Sequence, residues 1–103
     1  MGVPQFTTPT FTLTFTEQGL DLTQAQKLFV TIQQGLHKLT KSMEDLDVGE
    51  KTIGVYLSQK ETGSFTIGKV KFQANWLTNS NKRIASEIIT YDITEQLLKD
   101  VIE

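Results

Sequence analysis

His37 is the single histidine in this chain, and histidine is the side chain best suited to moving a proton or holding a metal near neutral pH. One imidazole cannot build a multi-histidine metal site within one subunit, and no cysteine is present to supply a thiolate nucleophile or a zinc ligand. Next to Lys38 on a predicted hairpin, His37 reads as a surface residue. The acidic run Glu44, Asp45, Asp47 and Glu50 has the right atoms for calcium. It lacks the D-x-[DN]-x-[DN]-G spacing and the distal glutamate that complete an oxygen cage. Paired carboxylates for glycoside cleavage need a cleft and one raised pKa, and nothing in the sequence marks such a pair. Glycine-rich phosphate loops and a nucleophile elbow are also missing. The chemistry-bearing residues thus predict a non-enzymatic protein with no cofactor and no metal.

Binding residues are the next candidates. Lys69, Lys71, Lys82 and Arg83 form a local basic cluster, and Phe72 and Trp76 interleave with the first two. On a strand, however, Phe72 and Trp76 point to the face opposite Lys69 and Lys71. Nucleic-acid stacking needs aromatics and charges on the same exposed face. The net charge of −2 adds no field that would draw in nucleic acid or an anionic membrane. No apolar run approaches the ~18 residues of a membrane span. The start Met1-Gly-Val-Pro-Gln-Phe6 has neither the basic nor the apolar region of a signal peptide. The expectation is therefore a protein made and kept in a cytosol, with macromolecular partners other than nucleic acid or membrane.

The elements that would position these residues are mostly strands. The chain has 103 residues, 38% hydrophobic and 21% charged, which suits one globular domain with its own core. Residues 1–10, with Pro4, Pro9 and three threonines, read as an extended arm, and 11–103 as the domain. Phe11-Thr-Leu-Thr-Phe15 alternates with period two, as a half-buried strand does. Ile53, Val55 and Leu57 alternate likewise, as do Val70, Phe72, Ala74 and Trp76, with Trp76 the first choice for the centre of the core. Ser58-Gln-Lys-Glu61 has the spacing of a capping box and predicts one helical turn before Gly63. Thr78–Asn81 is a loop of turn formers, and Ile84 to Ile93 a further strand.

Two readings compete between Ala25 and Leu46. Ala25, Phe29, Ile32, Leu36, Leu39, Met43 and Leu46 follow the 4-3-4-3 spacing of an amphipathic helix, with Thr23 and Gln26 able to cap it. Against this, Leu28, Val30 and Ile32 alternate with polar residues. The β-branched Val30, Thr31, Ile32 and Thr40 disfavour a helix, and Gln34-Gly35 suits a tight turn. The balance favours a hairpin. At the other end, Leu97, Leu98, Val101 and Ile102 fall on one side of a short C-terminal helix that Asp92 and Glu95 would cap. Short strands at 8–12-residue spacing joined by polar turns predict an antiparallel β-sandwich.

Laid out this way, the sequence resembles small immunoglobulin-like proteins encoded in the structural-gene clusters of phages and prophages of Gram-positive bacteria. The residues that carry the likeness are Asp21-Leu-Thr-Gln-Ala25, Phe29-Val-Thr-Ile-Gln-Gln-Gly35, Leu39-Thr-Lys-Ser42 with Asp45-Leu46, and Val55-Tyr-Leu-Ser-Gln59 with Glu61-Thr62. Val70 to Trp76, Ala85-Ser86, Leu97-Leu98 and Val101-Ile102 complete it. More distantly, it is similar to the N-terminal domain of phage baseplate upper proteins. The likeness spans nearly the whole chain beyond residue 10. It implies an immunoglobulin-like fold and a structural or assembly role in a virion, at the tail, baseplate or head–tail region. It implies other virion or tail proteins as partners, a homo-oligomer being one form of assembly, and passage from host cytoplasm into the particle. It carries over no catalytic residue.

The side chains expected at an interface are Phe29, Tyr56, Leu97, Leu98, Val101 and Ile102. The alternative is a free-standing module that binds a cell-surface polysaccharide or protein. That reading needs exposed aromatic faces, for which Phe29, Tyr56, Tyr91 and Phe6 are the candidates.

Overall fold

Each of the three alternating apolar runs forms a strand in the computed structural model, which describes residues 2–4, 6–16, 18–95 and 102. Among these residues the strands are β1 (Gly2–Pro4), β2 (Thr10–Thr14), β3 (Lys27–Gln34), β4 (His37–Ser42), β5 (Leu46–Val48), β6 (Thr52–Tyr56), β7 (Gly68–Leu77), β8 (Arg83–Ala85) and β9 (Ile89–Thr94). A single α-helical turn, α1 (Gln59–Gly63), joins β6 to β7. The protein is mainly β, with its sheets arranged as a sandwich.

The larger sheet runs in the order β1-β9-β7-β3-β4, with β8 pairing β7 beyond the end of β9. The smaller is β2-β6-β5. All pairings are antiparallel except β1 with β9, which is parallel. The inward residues of both sheets make one core: Phe11 and Leu13 from β2, Leu28, Val30 and Ile32 from β3, and Ile53 and Val55 from β6. Val70, Phe72, Ala74 and Trp76 from β7 complete it, all at most 4% exposed. Across the layers the rings of Phe11, Phe72 and Tyr91 cluster, with centroids 4.6–5.1 Å apart. The Trp76 indole meets the Phe15 edge at 5.7 Å.

The segment with two competing readings is a hairpin. Gln34 pairs with His37 across the two-residue loop Gly35-Leu36. Gly35 has φ +58° and Leu36 keeps negative φ, the type II′ pattern that matches strand twist. The heptad spacing is absorbed differently. Ala25 and Met43 pack at the edge of the core, and Leu36 stands fully exposed at the hairpin tip.

One expected strand is broken. Ile84 to Ile93 divides into β8 and β9 because Ser86 substitutes for the ladder: its N–H donates to the Ala74 carbonyl at 2.8 Å, and its hydroxyl accepts from the Ala74 N–H at 2.9 Å. Glu87 and Ile88 then loop outward. Within the segment expected as an arm, Gly2–Pro4 lies along β9 and Thr10 begins β2. Asp92, expected as a helix cap, lies within β9 opposite Lys69. The C-terminal helix expected from Leu97, Leu98 and Val101 lies outside the described residues.

Candidate functional site

Alternation along β3, β7 and β4 sets the composition of the larger sheet's outer face. While Leu28, Val30 and Ile32 point inward, Phe29, Thr31 and Gln33 point out. Register then builds rows across the strands. Phe29 stands between Ser42 and Asn75, Thr31 between Thr40 and Gln73, and Gln33 between Lys38 and Lys71. Phe29 is 40% exposed; its cross-strand neighbours are Ser42 and Asn75, and Lys27, Leu77, Arg83, Met43 and Glu44 line the hollows on either side of it. The face is cationic: Lys27, Lys38, Lys69 and Lys71 lie on it against Asp92, whose carboxylate is 3.9 Å from the Lys69 ammonium. Both partners of that pair are well exposed, so it contributes little to stability. Ile88, in the loop between β8 and β9, is 56% exposed beside Thr31, Gln33, Lys71 and Gln73.

Phe29 and Tyr56, both expected at an interface, stand on opposite faces of the sandwich. Tyr56 is 51% exposed, but it sits on the outer face of the smaller sheet opposite Thr10, on the other side of the sandwich from Phe29. Ile102 is exposed, and its N–H and carbonyl exchange hydrogen bonds with the Gln59 side chain at 2.8 and 3.0 Å. Leu97, Leu98 and Val101 lie outside the described residues. Of the other aromatic candidates, Tyr91 packs its ring against Phe11 and Phe72. Phe6 lies so close over Gly63 that a Cβ there would overlap its ring. Phe29 alone remains as an exposed aromatic on the larger sheet. Ile88 was missed, because its exposure follows from the Ser86 break rather than from any periodicity.

His37 and Lys41 sit on the inward side of β4, toward α1. The His37 ring lies 4.8 Å from Phe65, and its Nε2 is 2.9 Å from the Ser64 hydroxyl. Lys41 donates to Glu61 at 2.6 Å, both side chains being mostly buried. Burial pushes the Glu61 carboxyl up, but bonds from Lys41 and Ser58, with the Lys41 charge, hold it below its ordinary value. Glu61 also closes the capping box, accepting from the Ser58 N–H while Ser58 Oγ accepts from the Glu61 N–H. These contacts tie α1 to the β3–β4 hairpin, a structural use of charge. A hollow of about 500 Å³ opens between residues 18–21 and 78–80. Among the described residues its titratable side chain is Asp21, which accepts from the Thr23 N–H and hydroxyl. Among the described residues no three His, Asp or Glu side chains are grouped to hold a metal, and no helix is long and apolar enough to cross a membrane.

No protein-family profile matches the chain, and no curated protein does either. Among solved structures it is similar to a protein from Bacteroides vulgatus provisionally described as a glycoside hydrolase, at 12% identity and a TM-score of 0.54. The match covers 92% of this chain and 16% of that one. The likeness is one of fold: the chain spans about a sixth of that larger protein.

Proposed function

We propose that the chain is a non-enzymatic assembly module of a phage or prophage particle, with an immunoglobulin-like fold, and that it contacts other particle proteins through the outer face of its larger sheet. The fold part of this reading rests on strand order. β9-β7-β3-β4 follows the immunoglobulin order G-F-C-C′, and β2-β6-β5 follows B-E-D. In this reading β2 and β7 correspond to the strands B and F that antibody domains join by a disulfide, and Phe11 and Phe72 pack between them at 4.7 Å. An aromatic contact there suits a chain without cysteine.

The observation that carries the functional part is the face itself: four long strands present rows of hydroxyls, amides and lysines, and Phe29 stands at one end of this face, past the end of β9. An aromatic anchor within a polar surround is the usual anatomy of a protein contact. The lysines favour a partner with an acidic surface. The sequence likeness to phage structural proteins supplies the setting. Phe29→Asp tests it. The variant should fold as the wild type does, since Phe29 is outside the core, while its incorporation into particles falls at least tenfold, about 1.4 kcal/mol. Undiminished incorporation would rule this face out.

A second reading is a polysaccharide-binding module, favoured by Phe29 beside the amides of Gln73 and Asn75 and by the fold likeness to part of the Bacteroides protein. Binding of wild-type protein, but not Phe29→Ala, to host cell-wall polysaccharide would decide for it.

A further inference from the structure

The free edge of the smaller sheet differs from the other sheet edges in a way that points to a partner. Just past β2 the Phe15 N–H donates to the Lys51 carbonyl at 2.8 Å, and just before it the Pro9 carbonyl accepts from the Leu57 N–H at 3.1 Å. The odd-numbered residues of β2 therefore bond to β6. By the alternation of an antiparallel ladder, the N–H and C=O of Thr10, Thr12 and Thr14 point away from it, to an edge that no described strand covers. β1 pairs instead with β9 in the larger sheet. Pro9 leaves this edge intact, because its missing donor would have faced β6.

Proteins usually blunt exposed edges with charge, proline or shortness. The edge strand β4 carries Lys38 and Lys41, while β5 and β1 are three residues long, with Asp47 in one and Pro4 in the other. β2 has none of these devices: it reads Thr-Phe-Thr-Leu-Thr, uncharged, with its threonines exposed and Phe11 and Leu13 in the core. This sequence is close to a palindrome about Thr12, and the symmetry extends to Thr8 and Thr16.

We propose that the free edge of β2 is a homodimer interface, at which a second copy adds its own Thr10–Thr14 strand antiparallel to the first about a twofold axis through Thr12. In this register Thr12 faces Thr12 of the other copy, and Thr10 faces Thr14. Each such pair exchanges two backbone hydrogen bonds. Phe11 then lies beside Leu13 on the inner side, and threonine beside threonine on the outer side, a favourable cross-strand pairing. Self-complementarity of this kind is what an isologous contact requires. The absence of charge lets two copies approach without repulsion. The two smaller sheets fuse into one, running β5-β6-β2 and back through the second copy.

Sedimentation equilibrium of the full chain, from micromolar to near-millimolar concentration, should show a reversible dimer. Hydrogen exchange should show the amides of Thr10, Thr12 and Thr14 protected together with dimer formation. Thr12→Lys sets two like charges directly opposite and should weaken association at least tenfold while leaving the β2–β6 bonds in place. The chain has no cysteine, so single replacements report the register. Opposed side chains of a hydrogen-bonded pair have Cβ atoms about 5.5 Å apart, too far for a direct disulfide but within reach of a short bis-thiol cross-linker. Treated with such a cross-linker, Thr12→Cys should therefore give a covalent dimer and Thr14→Cys alone should not, whereas a mixture of Thr10→Cys and Thr14→Cys should cross-link. A wild type that stays monomeric with those three amides unprotected overturns the proposal. A dimer that survives Thr12→Lys, or cross-links in another pattern, overturns it equally. Should Thr12→Lys fail to fold, the cysteine pattern and the amide protection decide the matter without it.

Discussion

Trp76 and the Lys41–Glu61 pair show two ways in which single side chains hold this small domain together. The indole is 4% exposed and fills the end of the sandwich beside Phe15. Trp76→Ala would leave a cavity there and should cost about 3–5 kcal/mol, a large part of the stability of a domain this size. A thermal melt reads this directly. The ion pair acts through pH. With the Glu61 carboxyl held below its ordinary value of 4.5, the folded state binds its proton less readily than the unfolded chain. The stabilisation is therefore complete above about pH 4.5, the unfolded value, and is lost as pH falls through the lower folded value. Lys41→Met should flatten this acid-side loss and lower stability at pH 7 by at most about 1 kcal/mol, as seen in denaturant titrations at several pH values. Trp76 was legible in the sequence because period two over β7 fixed its face. The Lys41–Glu61 pair was not, since its partners are on β4 and α1 and only the fold brings them together.

At the level of elements, the β3–β4 hairpin was the hardest to read, because one stretch carries both a heptad spacing and a strand alternation. The structure follows the alternation. Leu28, Val30 and Ile32 are all fully buried, and β7 is there to pair with them, which no local pattern reveals. Gly35 decides the turn. With φ +58° and nothing within 4 Å of a built Cβ, a side chain there meets backbone strain and no clash. Gly35→Val should then lower stability by about 1–2 kcal/mol without changing the secondary-structure content seen by circular dichroism. A loss no larger than that of an outward-facing, half-buried mid-strand substitution such as Thr31→Val would mean the turn does not require positive φ. α1 was legible for a different reason, since a capping box is a local device and Ser58 and Glu61 satisfy it without outside help. The division between β8 and β9 was not, because it depends on Ser86 meeting Ala74, a contact between elements.

For the whole molecule, the mainly β sandwich was readable from spacing alone, while the number of strands and the placement of exposed residues were not: β1, β5 and the split between β8 and β9 have no periodicity to mark them. Phe29 and Tyr56 look equivalent as exposed aromatics in the sequence, yet they stand on opposite outer faces, because β3 and β6 belong to different sheets. The larger sheet thus presents one polar, lysine-rich face with a single aromatic, and the smaller presents a threonine-lined edge. These are the two surfaces that the proposed particle contact and the proposed dimer would use. The most direct measurement is quantitative mass spectrometry of particles induced from the strain that encodes the chain and purified by density gradient. The chain should be present in fixed ratio to the major structural proteins and should survive high-salt washing. Its absence from intact particles, while it is abundant in the cells that made them, would contradict the assembly role.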